Sequence, residues 1–228
     1  LGPALARVEE GWRDARRLLV SPFVRVGRLE PAIAALECLV AAYPARTDDR
    51  RLLASLLGRT EQWDRAIAQA DAAAAIAPDS AALQAARIQL RVQAGRIAEA
   101  AAVARETAAV SLVDPGEAHW WMLAYSRNGD AAEAAGVALA LDGAGLPNAR
   151  VATVAVRALL DDDRVEAAIL LGNAALDAGH DAPALRASLG LAHLRRATED
   201  DRKQHALAHF EAGLKAAPAD VRLLTLHG

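Results

Sequence analysis

An alanine returns along this chain at a fixed spacing. Ala32, Ala66, Ala100, Ala134 and Ala168 stand at equal steps, and Ala206 follows after a slightly longer one. A constant period within roughly 20–50 residues marks a stacked-repeat protein. Each repeat is one small unit that cannot bury its apolar face alone, so the core must form between neighbours.

Other positions keep the same phase. With blocks starting at Arg13, Thr47, Ala81, Pro115, Ala149 and Pro183, glycines fall at one shared place, Gly27, Gly95 and Gly129. Glu61 and Asp163 replace that glycine in two blocks. A second column holds Leu36, Ala70, Ala104, Ala138 and Gly172, and a third holds Leu39, Ala73, Thr107, Leu141 and Ala175. Pro44 and Pro78 form a fourth, where Leu112, Leu146 and His180 stand in other blocks. In the last block Ala206, Phe210, Gly213 and Pro218 keep the offsets of Ala66, Ala70, Ala73 and Pro78. The extra residues of that block therefore fall before Ala206, within Thr198–Lys203.

Each block reads as two helices joined at the glycine, which accepts positive φ at little steric cost. Small residues four apart share a helix face and let two backbones approach. The prolines end the second helix. Asp114-Pro115 reads as a cap followed by a first-turn proline, and Thr60 and Asp130 read as further caps. Arg87 and Arg91 stand where apolar residues are expected, which predicts a one-residue shift in the third block. Pro22 predicts a kink or break in the first helix.

The pattern Ala206, Phe210, Gly213, Pro218, with Ala32, Leu36, Leu39, Pro44, resembles the tetratricopeptide repeat family. In the first helices Leu19, Val20, Phe23 and Leu53, Ala54, Leu57 fit it as well. The resemblance implies an all-α fold, a right-handed α-α superhelix (solenoid) of about six antiparallel helix pairs with a 34-residue period. One repeat domain over residues 1–228 follows, with blocks 13–46, 47–80, 81–114, 115–148, 149–182 and 183–220. Residues 221–228 begin a further helix. Val221, Leu223, Leu224 and Leu226 would then be half covered, so the chain is expected to be a segment of a longer polypeptide.

Composition agrees. Hydrophobic residues make up 54% of the chain, and alanine, the best helix former, dominates them. No uncharged apolar run is long enough to span a bilayer, so direct membrane insertion is not expected. The single cysteine, Cys38, excludes an internal disulfide and reads as a buried inert thiol. Arginine outnumbers lysine 24 to 2, which together with the alanine content suggests a GC-rich bacterial source. Localisation, cytoplasmic or periplasmic, stays open.

The resemblance further implies that first helices line a concave surface, through the second, fifth, ninth, twelfth and thirteenth residues of each block. Those thirty positions include eight arginines: Arg17, Arg25, Arg51, Arg59, Arg127, Arg150, Arg157 and Arg195. Asp14, Asp48 and Asp161 are the acidic ones. The surface is thus net positive although the chain carries formal charge −3. Ser55, Gln89 and His119 add polar contacts. Trp120, Trp121 and Tyr125 form an aromatic cluster, with Trp121 sharing its column with core leucines. Arginine reads carboxylates bidentately, and Trp, Tyr and Arg dominate binding hot spots. The expected partner is a protein or peptide of acidic character. Net acidity and scarce lysine argue against nucleic acid.

No phosphate-binding loop, dinucleotide fingerprint, metalloprotease motif or nucleophile elbow is present. No enzyme, cofactor or metal site is expected within the segment. His205 and His209, one turn apart, read as solvent-facing, His193 as an interface histidine, and the acidic runs at Asp161 and Glu199 as ordinary turns. Two functions follow. One is a scaffold holding a partner peptide or helix in a basic groove. The other is the repeat region of a larger bacterial enzyme or polysaccharide-export or secretion component, recruiting substrate to chemistry elsewhere.

Overall fold

The structure is a computed structural model and describes residues 18, 20–110, 115–141, 145–146, 148–196 and 200–227. No strand occurs among them. The helices are α1 (Leu29–Ala42), α2 (Thr47–Arg59), α3 (Trp63–Ile76), α4 (Ala81–Gln93), α5 (Ile97–Glu106) and α6 (Pro115–Asn128). They continue with α7 (Ala131–Ala140), α8 (Ala149–Asp161), α9 (Val165–Asp177), α10 (Pro183–Arg196), α11 (Asp200–Ala216) and α12 (Val221–His227). First helices begin at Thr47, Ala81, Pro115, Ala149 and Pro183, each at the first position of its block. Second helices begin at Leu29, Trp63, Ile97, Ala131 and Val165, each one turn ahead of its column alanine. The last starts at Asp200, nearly two turns ahead of Ala206, so part of the insertion is absorbed as extra helix. Residues 197–199 of that insertion lie outside the described residues, as do Arg17 and Asp114.

The columns have physical roles. Ala32, Ala66, Ala100, Ala134, Ala168 and Ala206 are all 0% exposed. Each lies fully buried on the core side of its second helix. The glycine column is the turn. Gly27, Gly95 and Gly129 have φ of 74°, 76° and 89°, and Glu61 and Asp163 adopt 59° and 57° at the same place. Each turn is closed by two backbone bonds of one pattern. Glu61 N–H donates to Gly58 and Gln62 N–H to Leu57, and Asp163 and Arg164 repeat this on Leu160 and Leu159. The demand for this turn overrides the missing glycine.

Two compact units divide at Val103 and Ala104. In the first, α2 packs on α1, α3 and α4. Leu36, Leu39, Leu53, Leu56, Leu57 and Leu90 fill its core. Burying each such side chain stabilises by about 1.5–3 kcal/mol. In the second, α6/α7, α8/α9 and α10/α11 form hairpins, and α12 packs on α10 and α11. Ala206, Phe210, Ala187 and Leu223 make its last core cluster. Leu223 is therefore covered, whereas Val221 and Leu224 stay exposed.

Several local expectations are corrected. α4 starts at Ala81 in phase with the other first helices, with no shift. Arg91 is buried in its apolar column because Asp71 receives its guanidinium at 2.8 and 3.0 Å, with Arg87 at 2.9 Å. Thr60 ends α2 rather than starting α3, its hydroxyl donating back to Leu56 and Leu57. Asp130 precedes α7 but makes no side-chain cap, because its carboxylate takes Arg105 and Asn128. Cys38 is exposed, since the buried stripe of α1 runs through Ala32, Ile33, Leu36, Leu39 and Val40. Pro22 lies inside a helical stretch over residues 20–25, accepting from Val26 N–H at 3.1 Å.

Candidate functional site

The expected partner-facing arginines occur in both units. In the first unit, Arg51, Ser55 and Arg59 occupy successive turns of α2, and all three are exposed. They share one face by the four-residue spacing. Arg25 is exposed as well, and Gln89 on α4 is half-buried. In the second unit, Arg127 at the end of α6 and Arg150 and Arg157 on α8 are exposed.

These arginines differ from many others in the chain. Arg65 pairs with Glu37, Arg96 with Asp64, Arg105 with Asp130 and Arg186 with Asp181. Among the described residues, Arg25, Arg51, Arg59, Arg127 and Arg157 pair with no carboxylate. Their guanidinium groups keep donors for an external acceptor.

The second unit also has a shaped site. Arg157, Leu160 and Asp161 of α8, Ala187, Ser188, Leu191 and Arg195 of α10, and Thr225 and Leu226 of α12 line a cleft of about 440 Å³. Its floor is apolar and its rim carries two arginines against one aspartate. Arg195 donates to the Leu160 carbonyl, which orients its stem along the cleft wall. Ser188 is turned back on its own helix, donating to Ala184 at 2.9 Å. Thr225 and Leu226 were not among the expected contacts. Their helix starts at Val221, where a seventh block would open. Extending the block columns past Pro218 would have reached Thr225 at a fifth position.

The aromatic anchor is corrected. Trp121 is 0% exposed, and its indole N–H donates to Thr107 Oγ1 at 3.1 Å. It fills core space, and it explains the polar Thr107 in an otherwise apolar column. Tyr125 is also buried, and burial raises its phenol pKa. His119 is buried, with Nδ1 2.7 Å from the Gly116 carbonyl. Burial and then Arg150 hold the imidazole pKa down, the Gly116 bond opposing them. The three side chains are buried and offer little surface to a partner. Arg150 reaches an aromatic face, 5.5 Å above the Trp120 ring, a cation–π arrangement.

Of the histidines of α10 and α11, only His209 departs from its solvent-facing expectation. His209 is half-buried and stacks on His193, ring centroids 5.2 Å apart and planes 17° from parallel. His205 is exposed, 5.8 Å from His193.

Solved structures share this architecture. The Pseudomonas aeruginosa PilF structure is similar with a TM-score of 0.68 and 15% identity, covering 95% of this chain and 96% of that one. YrrB, a TPR protein with an unusual peptide-binding site, is similar at 0.63 and 14% identity over 85% of this chain and 98% of its own. The chain has the tetratricopeptide-repeat fold. The anaphase-promoting complex hetero-tetramer Cut9–Hcn1 is similar at 0.62 and 16% identity, and there 96% of this chain spans 46% of the other chain's length. No protein-family model matches the sequence, and no curated protein does. The tetratricopeptide-repeat fold is thus carried by the repeat geometry at low sequence identity.

Proposed function

We propose that this chain is a protein-interaction scaffold that holds an acidic peptide or helix against the first-helix faces of its repeats. The observation that carries this reading is the division among the arginines. Arg51, Arg59, Arg127 and Arg157 on first helices pair with no carboxylate among the described residues, whereas Arg65, Arg96, Arg105 and Arg186 do. The cleft between α8, α10 and α12 supports it, with an apolar floor for a partner side chain and Arg157 and Arg195 at the rim for its carboxylates. The fold supports it too, since YrrB carries a peptide-binding site on the same architecture.

The test is fluorescence anisotropy with labelled peptides rich in glutamate and leucine. Replacing Arg157 and Arg195 by Gln should weaken the second-unit site by roughly tenfold, the effect of losing charge-assisted bonds. Replacing Arg51 and Arg59 should do the same at the first-unit face. Added salt should weaken the wild type more than the variants. Equal affinities for all proteins, or tighter binding of basic peptides, would overturn the reading.

A further inference from the structure

A second cleft, of about 420 Å³, opens on α10 away from the one just described. It is lined by Asn173 of α9, His193 and Arg196 of α10, and His205 and His209 of α11. Positions 187, 188, 191 and 195 of α10 serve the first cleft, and 193 and 196 lie on the opposite side of the helix by its 3.6-residue turn. All five lining side chains carry N–H groups or gain them on protonation.

Three imidazoles packed together invite comparison with a metal site, but His193 and His209 stack and His205 is tilted against His193. Parallel rings at 5.2 Å send their in-plane nitrogens past one another instead of toward a shared point. The proton position of the His209 ring is set by a neighbour. Arg186 Nη1 lies 3.4 Å from His209 Nδ1. A guanidinium only donates, so Nδ1 accepts and the neutral ring keeps its proton on Nε2. That leaves an Nε2–H donor for another group.

We propose that this cleft binds an oxyanion of the phosphate class and takes up protons with it. The charged groups around the histidines fit that role. His209 faces His193 and Arg186 of α10, His205 of its own helix, and Asp181 before α10. His193 faces His205 and Arg196. Arg196 reaches Glu166 of α9 at 3.8 Å, and Asp181 is held by Arg186 at 2.8 and 2.9 Å. Lys203 and Glu211 of α11 are exposed. Without an anion, burial and then the neighbouring charges favour the neutral form of His193 and His209. A dianion seated among them reverses that balance, so binding strengthens as protons become available.

Sulfate separates the protein's titration from the ligand's, because it stays a dianion across the useful range. Calorimetry and histidine NMR shifts should be followed with sulfate from about pH 7.5 to about pH 5.5. Each proton taken up tightens binding by up to about tenfold per pH unit. Arg196→Gln and His205→Gln, both at exposed positions, should each weaken sulfate about fivefold or more. Lys215→Gln, an equal charge change near the end of the same helix, should leave it unaltered. Inorganic phosphate and phosphoserine, compared at one pH, identify the source. Tighter phosphoserine binding indicates a phosphorylated partner, and equal binding indicates free phosphate. Circular dichroism confirms that each variant is folded. Absence of sulfate-dependent histidine shifts, a pH-independent affinity, or equal weakening by Lys215→Gln would overturn the proposal.

Discussion

Gly190 faces the ring of Phe210 so closely that a Cβ at position 190 would fall inside the contact distance of three ring carbons. The two residues join α10 to α11, and Phe210 is 1% exposed. Neither partner can move freely. Gly190→Ala should therefore destabilise by about 1–3 kcal/mol through overpacking, despite alanine's better helix propensity. Gly136 on α7 is the control, since a Cβ there meets nothing within 4 Å. Gly136→Ala should stabilise by roughly 0.5–1 kcal/mol. Urea denaturation of both variants checks the opposite signs.

The turn column allows a repair. Glu61 and Asp163 hold left-handed backbone where Gly27, Gly95 and Gly129 do so with little strain. Glu61→Gly and Asp163→Gly should each raise stability by about 1 kcal/mol, and Gly129→Ala should lower it by a similar amount. Thermal melts of the three variants would show this. A fall in melting temperature for Glu61→Gly would count against strain at that turn.

Asp71 holds two guanidinium groups, one of them on buried Arg91. Burial pushes its carboxyl pKa up, but the bonds from Arg91 and Arg87 outweigh it and hold the value below the usual one. A depressed folded pKa stabilises above the unfolded value, near 3.9 for aspartate, and that contribution is lost as pH falls through the folded one. Asp71→Asn should cost about 1–3 kcal/mol at neutral pH, the carboxylate being partly exposed. It should also flatten the stability curve on the acid side, read from urea midpoints.

The histidine stack predicts a different window. Burial, then His193 and Arg186, push the His209 pKa down to about 4. Unfolded histidine titrates near 6.5, so between these values the unfolded chain binds more protons and stability falls as pH falls. The loss should be roughly 1–2 kcal/mol after allowing for solvent screening. It should level off below about pH 4, where the folded ring also protonates. His209→Gln should reduce the slope when denaturation is followed in sulfate-free buffer. An unchanged slope would mean that other groups carry it.

Much of the fold was legible because backbone constraints repeat. The alanine column, the turn glycines and the helix-ending prolines each report a local demand that recurs once per block. Arg51, Ser55 and Arg59 were legible for the same reason, since one helix face follows from spacing alone. Trp121 and Tyr125 misled because an aromatic side chain looks alike in a wall and on a surface. Cys38 misled because apolar neighbours in sequence alternate around a helix. Only packing shows which side of α1 is covered.

What the sequence determined by itself was the period, the phase of the helix pairs and the places of the turns, all properties of short segments and their recurrence. Tertiary structure alone decided partners across helices and repeats: Thr107 beneath Trp121, Asp71 between Arg87 and Arg91, the His180 ring bonded to the Leu146 carbonyl one repeat earlier, and His209 stacked on His193. The reason is geometric. A side chain's direction follows from its place on its own helix, but its neighbour belongs to another element, and that pairing exists only once the helices have packed.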